Sequence, residues 1–435
     1  MGVQDRLEGV LRQIPQAALE EYERYLTRIP DKGRHPDFWA KERQVLVTAV
    51  DDLCARFREF YALDSHDFAA NVAQLSAPLS EEEKHPLEGR PLVTRPMGGT
   101  AFASIFSAED NYMRPVGAMI HADLWRGVAA TRFRDNFLTP FGAAAAWQRG
   151  YIRELAVAAQ TYRDTVDGAT NAIMFVAESC LGAFRGHPRY QTADATATDH
   201  FSAASLLLGA LGLFLPASTP ALVVGIGSVA SGIASAVTAG SDKKPYLQVD
   251  YSEYPHTIIK NTEYAIKQVE ETILDVDETL AQGLDEDLYS TDAFASPHLK
   301  LPPPGVDSST FGYLDILDRD GKPPNRVVVA IVELYKAGYY NLPAAAYEYN
   351  AAMGQIDGCR VPGGMGRYFP RSISVFNSAC TRLSGILRQT TDDLTSAGET
   401  ILTAARTFQG TDEEQAEILR QAGQIPPHHS TAPVH

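Results

Sequence analysis

From Ile373 to Phe408, apolar or small residues return at alternating steps of three and four: Ile373, Phe376, Cys380, Leu383, Leu387, Thr390, Leu394, Ala397, Ile401, Ala404 and Phe408. A helix keeps such positions on one side, because residues three and four apart are neighbours on its surface. A stripe of this length is unstable in water, so the helix is predicted to dock lengthwise along another. Three more stretches read alike. Leu46, Val50, Leu53, Phe57 and then Phe60 or Tyr61 follow a helix start near Asp37. Leu155, Ala159, Tyr162, Val166, Ala169, Ile173, Val176, Cys180 and Phe184 form a narrow seam in a stretch running from about Trp125 to Gly186, with a kink expected at Pro140. Ile259, Thr262, Ile266, Val269, Ile273, Val276 and Leu280 stripe the stretch 256–284. Its carboxylates Glu270, Glu271, Asp275, Asp277 and Glu278 fall off the seam and read as a solvated face. No segment shows the two-residue alternation of a half-buried strand. The expected fold is all-α: an elongated bundle of long antiparallel helical hairpins around a central hydrophobic helical hairpin. The seams are of coiled-coil type, with 125–186 set against 256–284 and 326–355 against 372–408.

Breaks in the pattern divide the chain. N-terminal helices cover 1–75, interrupted at Pro15, and a loop-rich connection with one short helix covers 76–120. The unit 121–288 holds the helix that starts near Trp125, an uncharged hairpin and a return helix. A Pro/Gly-rich linker over 289–325 leads to a C-terminal helical hairpin at 326–420 and a disordered tail at 421–435.

The hairpin is the chain's most unusual composition. From Phe201 to Ser241 there is no Asp, Glu, Lys or Arg, and Pro216 and Pro220 split the segment into two arms. Leu206 and Leu213 lie in the first arm; Val223 and Ile226 lie in the second. Gly232, Ala236 and Gly240 recur every four residues, a spacing that lets helix backbones approach closely. A second arm of about 20 residues could cross a hydrocarbon core of about 30 Å, and the first is short for that task. Two readings stay open: a hairpin buried inside a helical bundle, and one that contacts or enters a membrane.

Charge and missing motifs narrow the function. With 54 acids against 38 bases the net charge is −16, which repels a phosphate backbone and excludes nucleic acid as a main partner. Cys54, Cys180, Cys359 and Cys380 are too few and too scattered for a disulfide scaffold. The opening MGVQDRLEGVLRQ has no apolar core of the signal-peptide kind, so export is expected by a signal-peptide-independent route, with the cytoplasm as the other location. No H-E-x-x-H, G-x-S-x-G or G-x-x-x-x-G-K-[ST] occurs. The sequence therefore predicts no catalytic residues, no cofactor and no metal: a chain that is not an enzyme and has no reactive pocket. An enzyme whose site leaves no motif is the residual alternative.

Trp125–Arg126–Gly127 is a W-x-G tripeptide placed where a long amphipathic stretch begins. A tight turn there needs a residue without a Cβ, and the indole wedges between helices. With the text that follows, LWRGVAATRFRDNFLTPFGAAAAWQRGYIRELAVAAQTYRDTV, it resembles the second-helix half of the WXG proteins of type VII (ESX) secretion systems. Near the far end, SAGETILTAARTFQGTDEEQAEIL resembles the helix end of EspC-like proteins of the same systems. The resemblance implies helix–turn–helix hairpins that pair, and a Y-x-x-x-[DE] export signal after the hairpin. Phe408 and Asp412 occupy that signal's positions, with Phe where family members have Tyr; Tyr190 and Asp194 form a full match after the first long helix. The function implied is that of a type VII (ESX-like) secretion substrate or secretion-associated protein, secreted or at the cell surface, that pairs with a helical protein partner or with itself. The alternative is an α-helical pore-forming or membrane-perturbing protein that contacts the membrane through 201–241.

Overall fold

The computed structural model describes residues 3–30, 36–63, 66–75, 99–121, 125, 128–186, 206, 247–302, 326–361 and 363–407. The helices are α1 (Val3–Leu11), α2 (Ile14–Thr27), α3 (Pro36–Glu59), α4 (His66–Leu75), α5 (101–121), α6 (128–184), α7 (Pro255–Tyr289), α8 (326–358) and α9 (Ser372–Thr407). The fold is all-α, with no strand among the described residues.

The seam predicted along α6 understates its burial. Between Tyr151 and Tyr162 every residue but Arg153 is buried, so the helix is enclosed on all sides. It contacts α1, α2, α4, α5, α7, α9 and the short turn Pro297–Leu299. The small residues of this stretch explain the enclosure: Ala156, Ala158, Ala159, Ala169, Ala172 and Ala177 fill the faces between the large seam residues, and neighbours can approach closely. Gly186, at φ +80°, ends the helix in the left-handed conformation that glycine adopts without strain. Arg24 of α2 donates to the Phe184 carbonyl at 2.7 Å, pairing one of the acceptors freed there.

The other stripes are buried as their periodicity requires. On α9, Ile373, Phe376, Cys380, Leu383, Leu387, Thr390, Leu394, Ala397, Ile401 and Ala404 are all buried, as are the seven seam residues of α7. α7 lies against α6 and α9, and α8 lies along α9. Backbones of the latter pair meet at Gly338, where a Cβ would stand 2.6 Å from Leu402 Cγ and 3.0 Å from the Gly398 carbonyl. Val361, after α8, exchanges two hydrogen bonds with the Asn377 side chain of α9, at 2.9 and 3.1 Å.

Three expectations are corrected. Asp277 is not on a solvated face. It is buried and accepts from the Arg371 amide at 3.1 Å, the Ser372 amide at 2.9 Å and the Ser372 hydroxyl at 2.5 Å. One helix thus supplies the N-terminal cap of another, where amide donors have no partners of their own. The one short helix expected in the 76–120 connection is longer than that: the chain is helical from Ala101 to His121, capped by Thr100, whose hydroxyl accepts from the Ala103 amide at 3.1 Å. The start of the 289–325 linker packs on the core: Phe294 stacks face to face on Tyr151, Leu299 and Leu301 are buried, and Gln148 donates to the Leu299 carbonyl at 2.8 Å.

Candidate functional site

Among the described residues, three helices contain a wide π turn: Ala108–Met113 in α5, Arg134–Leu138 in α6 and Ala337–Asn341 in α8. Each ends two residues before a proline, namely Pro115, Pro140 and Pro343. The cause is steric and polar together. Proline supplies no amide and its ring collides with the carbonyl four residues back, so the preceding turn widens to move that carbonyl away. The residue before each proline (Arg114, Thr139, Leu342) accordingly donates to the carbonyl five residues back. The expected disturbance at Pro140 takes this form.

The three turns converge. The segment Arg114–His121 touches the π turns of α6 and α8 as well as its own, and Tyr112 meets Tyr340 edge to face at 6.0 Å. Between α5 and α6 this leaves a cleft of about 640 Å³. Its apolar lining is Phe106, Met113, Leu138 and Phe141, and its charged lining is Glu109, Asp110, Arg114, Arg134 and Arg149. Gly117 and Gly142 open it further, since a Cβ at either would meet nothing within 4 Å. Pockets of 300–1,000 Å³ that combine apolar walls with a few polar groups are the usual form of small-ligand sites.

The charges are ordered from the inside outward. Arg149 is the innermost, with 18% of its side chain exposed; it pairs with Glu109 and lies 5.9 Å from the Phe106 ring. Beneath it Tyr349 meets Phe141 at 6.0 Å, and its buried hydroxyl has no hydrogen-bond partner among the described residues. Burial raises that phenol's pKa well above the usual value, so it stays protonated. Arg114, 76% exposed, pairs with Asp110 at 2.7 Å, and Arg134, 44% exposed, pairs with the adjacent Asp135 at 2.8 Å. One turn past Arg149, Arg153 packs its guanidinium over Phe102 at 4.6 Å. Burial, and then the like charge of Arg149, lowers its pKa. The polar groups of the described lining are its five charged side chains and the Thr139 hydroxyl, an arrangement suited to recognising charge.

Sequence reasoning missed this cleft, having predicted a chain without a pocket lined by converging ionisable groups. The available signal was Pro115, Pro140 and Pro343 lying inside otherwise helical stretches, each with arginine, tyrosine or phenylalanine close by.

Of the residues singled out from sequence, Trp125 is 2% exposed and sits 5.6 Å from Phe133, which in turn lies 5.2 Å from Phe137. It is a core anchor just before α6, with its indole nitrogen buried and unpartnered among the described residues. Leu206 is also buried, at 8% exposure. Gly127, Tyr190, Asp194, Leu213, Val223, Ile226, Gly232, Ala236, Gly240, Phe408 and Asp412 lie outside the described residues, as do 303–325 and the tail 421–435. All four cysteines are free and buried; burial pushes the Cys54 thiol up to about 11 and Cys180 and Cys359 to about 12. Among the described residues, no helix is long and apolar enough to cross a membrane, and no group of three or more His, Cys, Asp or Glu could hold a metal ion.

No family model matches the chain, and no curated protein or solved structure is similar to it.

Proposed function

We propose that the chain is a type VII (ESX-like) secretion substrate or secretion-associated protein, secreted or at the cell surface and acting through its helical surfaces. In this reading the long helices form antiparallel hairpins in an elongated bundle, α6 with α7 and α8 with α9. The observation that carries it is the burial of Trp125 at the entrance to the long helix α6, where a W-x-G indole is expected to wedge between hairpin arms. Contacts of Gly338 with Leu402 and of Val361 with Asn377 support the antiparallel sense of the second hairpin. Two aromatic–acid pairs suit an export signal by their place in the sequence: Tyr190 comes after the end of α6 at Phe184, and Phe408 comes near the end of the chain.

The seams are occupied within the chain, so a helical partner or a second copy would meet outward residues instead. Among the described residues, Tyr264, Leu274 and Tyr289 on α7 and Tyr339 and Tyr347 on α8 are large exposed side chains available for that. The test is export from a cell that carries such a system. We expect deletion of 408–435, or replacement of Tyr190 and Asp194 by Ala, to keep the protein inside. Unchanged export of both variants removes the reading.

A second reading, membrane perturbation by 201–241, is favoured by one contact. Val249, beyond the uncharged segment, donates its amide to the Ser179 hydroxyl of α6 at 2.8 Å, so the chain on either side of the segment is already joined. A hairpin could leave such a body without opening it. Leakage of liposomes that is lost on Val223→Asp with Ile226→Asp supports this reading, and failure of the intact protein to bind liposomes ends it.

A further inference from the structure

The cleft between α5 and α6 has a composition that selects its ligand, and the argument stands apart from secretion. Three guanidiniums line it against two carboxylates, in a chain whose net charge is −16. With Asp135 beside Arg134 each guanidinium is matched by a carboxylate, so what draws an anion there is not net charge but two outer arginines whose exposed pairs are weak. The two outer arginines come from opposite walls, Arg114 from α5 and Arg134 from α6. Among the described residues each is paired with a carboxylate of its own helix, four residues back for Arg114 and one residue on for Arg134. Exposed pairs of that kind are weak, so an incoming anion displaces or shares them at little cost. A guanidinium also has five N–H donors, and the Asp110 contact uses one Nη of Arg114 while the Asp135 contact uses Nε of Arg134.

Deeper in, the lining changes character. Phe106, Met113, Leu138 and Phe141 present an apolar floor, and Arg149 is occupied by Glu109. A compact inorganic anion would leave that floor wet, and a neutral apolar molecule would leave the arginines unused. We propose that the cleft binds an anionic amphiphile: a phosphate or carboxylate head held between Arg114 and Arg134, and a short apolar body on the four-residue floor. The same chemistry is offered by a soluble acyl or alkyl anion and by an anionic lipid.

The experiment is calorimetric titration of the full chain with n-octyl phosphate below its micelle concentration. Inorganic phosphate and octyltrimethylammonium serve as comparisons. We expect saturable binding of octyl phosphate that weakens with added salt, at least tenfold weaker binding of inorganic phosphate, and none of the cationic amphiphile. Arg114→Gln with Arg134→Gln should weaken octyl phosphate tenfold or more. Gly142→Met should do so by filling the cleft, since nothing in the protein stands within 4 Å of a Cβ there and the helix gains from losing a glycine. Circular dichroism confirms that each variant is folded. Sedimentation with phosphatidylglycerol vesicles separates the sources: vesicle binding that octyl phosphate displaces assigns a lipid, and its absence alongside octyl phosphate binding assigns a soluble anion. The proposal is overturned by absence of saturable octyl phosphate binding at millimolar concentration, by equal binding of the cationic amphiphile, or by unchanged affinity in both variants.

Discussion

Asp277 shows how much one side chain can carry in a helical protein. Amides at the start of a helix have no intrahelical acceptor, and that of Ser372, at the start of α9, lies in a buried place that solvent does not reach. A carboxylate from α7 meets them, favoured by the positive end of the helix dipole. Removing it strands two amides and a hydroxyl, for a cost of about 2 kcal/mol. Asp277→Ala should therefore lower the urea midpoint of unfolding clearly, and Asp277→Asn, which keeps one acceptor oxygen, should lower it less. Equal midpoints for wild type and Asp277→Ala would mean that the cap contributes nothing. Trp125 differs in kind: its contribution is volume beside Phe133, not polarity.

Among the helices, the pairing of α8 with α9 depends on two glycines that face each other, Gly338 and Gly398. A methyl at Gly338 would overlap Leu402 and crowd the Gly398 carbonyl, so Gly338→Ala forces the backbones apart, at an expected cost of about 1–3 kcal/mol. Gly385 lies on the exposed side of the same α9, with nothing within 4 Å of a Cβ. There the substitution removes only a helix-weakening residue, and Gly385→Ala should stabilise by up to about 1 kcal/mol. Opposite signs for two Gly→Ala changes, read as thermal midpoints, would distinguish close approach from propensity. The π turns follow the same logic of local accommodation. Prolines that a sequence reader takes as breaks become wide turns because flanking helix on both sides is held by tertiary contacts.

Across the whole molecule, acid should weaken contacts that join distant parts of the chain. Glu8 of α1 accepts from Arg58 of α3 at 3.2 Å and from the Tyr61 hydroxyl at 2.7 Å. The Arg58 hydrogen bond, then that of Tyr61, lowers its pKa from 4.5 to about 2. A depressed carboxylate pKa gives stability that is complete above the unfolded value and lost as pH falls through the folded one. The loss from this group should therefore fall between about pH 4.5 and 2. Urea midpoints measured across that window should decline less steeply for Glu8→Gln than for wild type; parallel declines would show that the clamp is not formed. Tyr61 keeps its proton throughout, because burial and then the Glu8 bond push it up to about 12.

Helix and stripe were readable from residue order alone, because period is a local property: each side chain's face follows from its distance along the same helix. That is why Leu46 to Phe60, Ile259 to Leu280 and Ile373 to Ala404 are buried where their spacing puts them. Tertiary structure alone decided what surrounds each stripe. Nothing in the spacing of Leu155 to Phe184 says that six other helices enclose it, since the alanines between would fit an exposed face equally well. Asp277 serves residues 94 and 95 positions away, and Arg114 and Arg134 share a cleft only because α5 folds back on α6. A cap in trans and a binding cleft are relations between elements, and their free energy appears only once desolvated packing has fixed the elements in place.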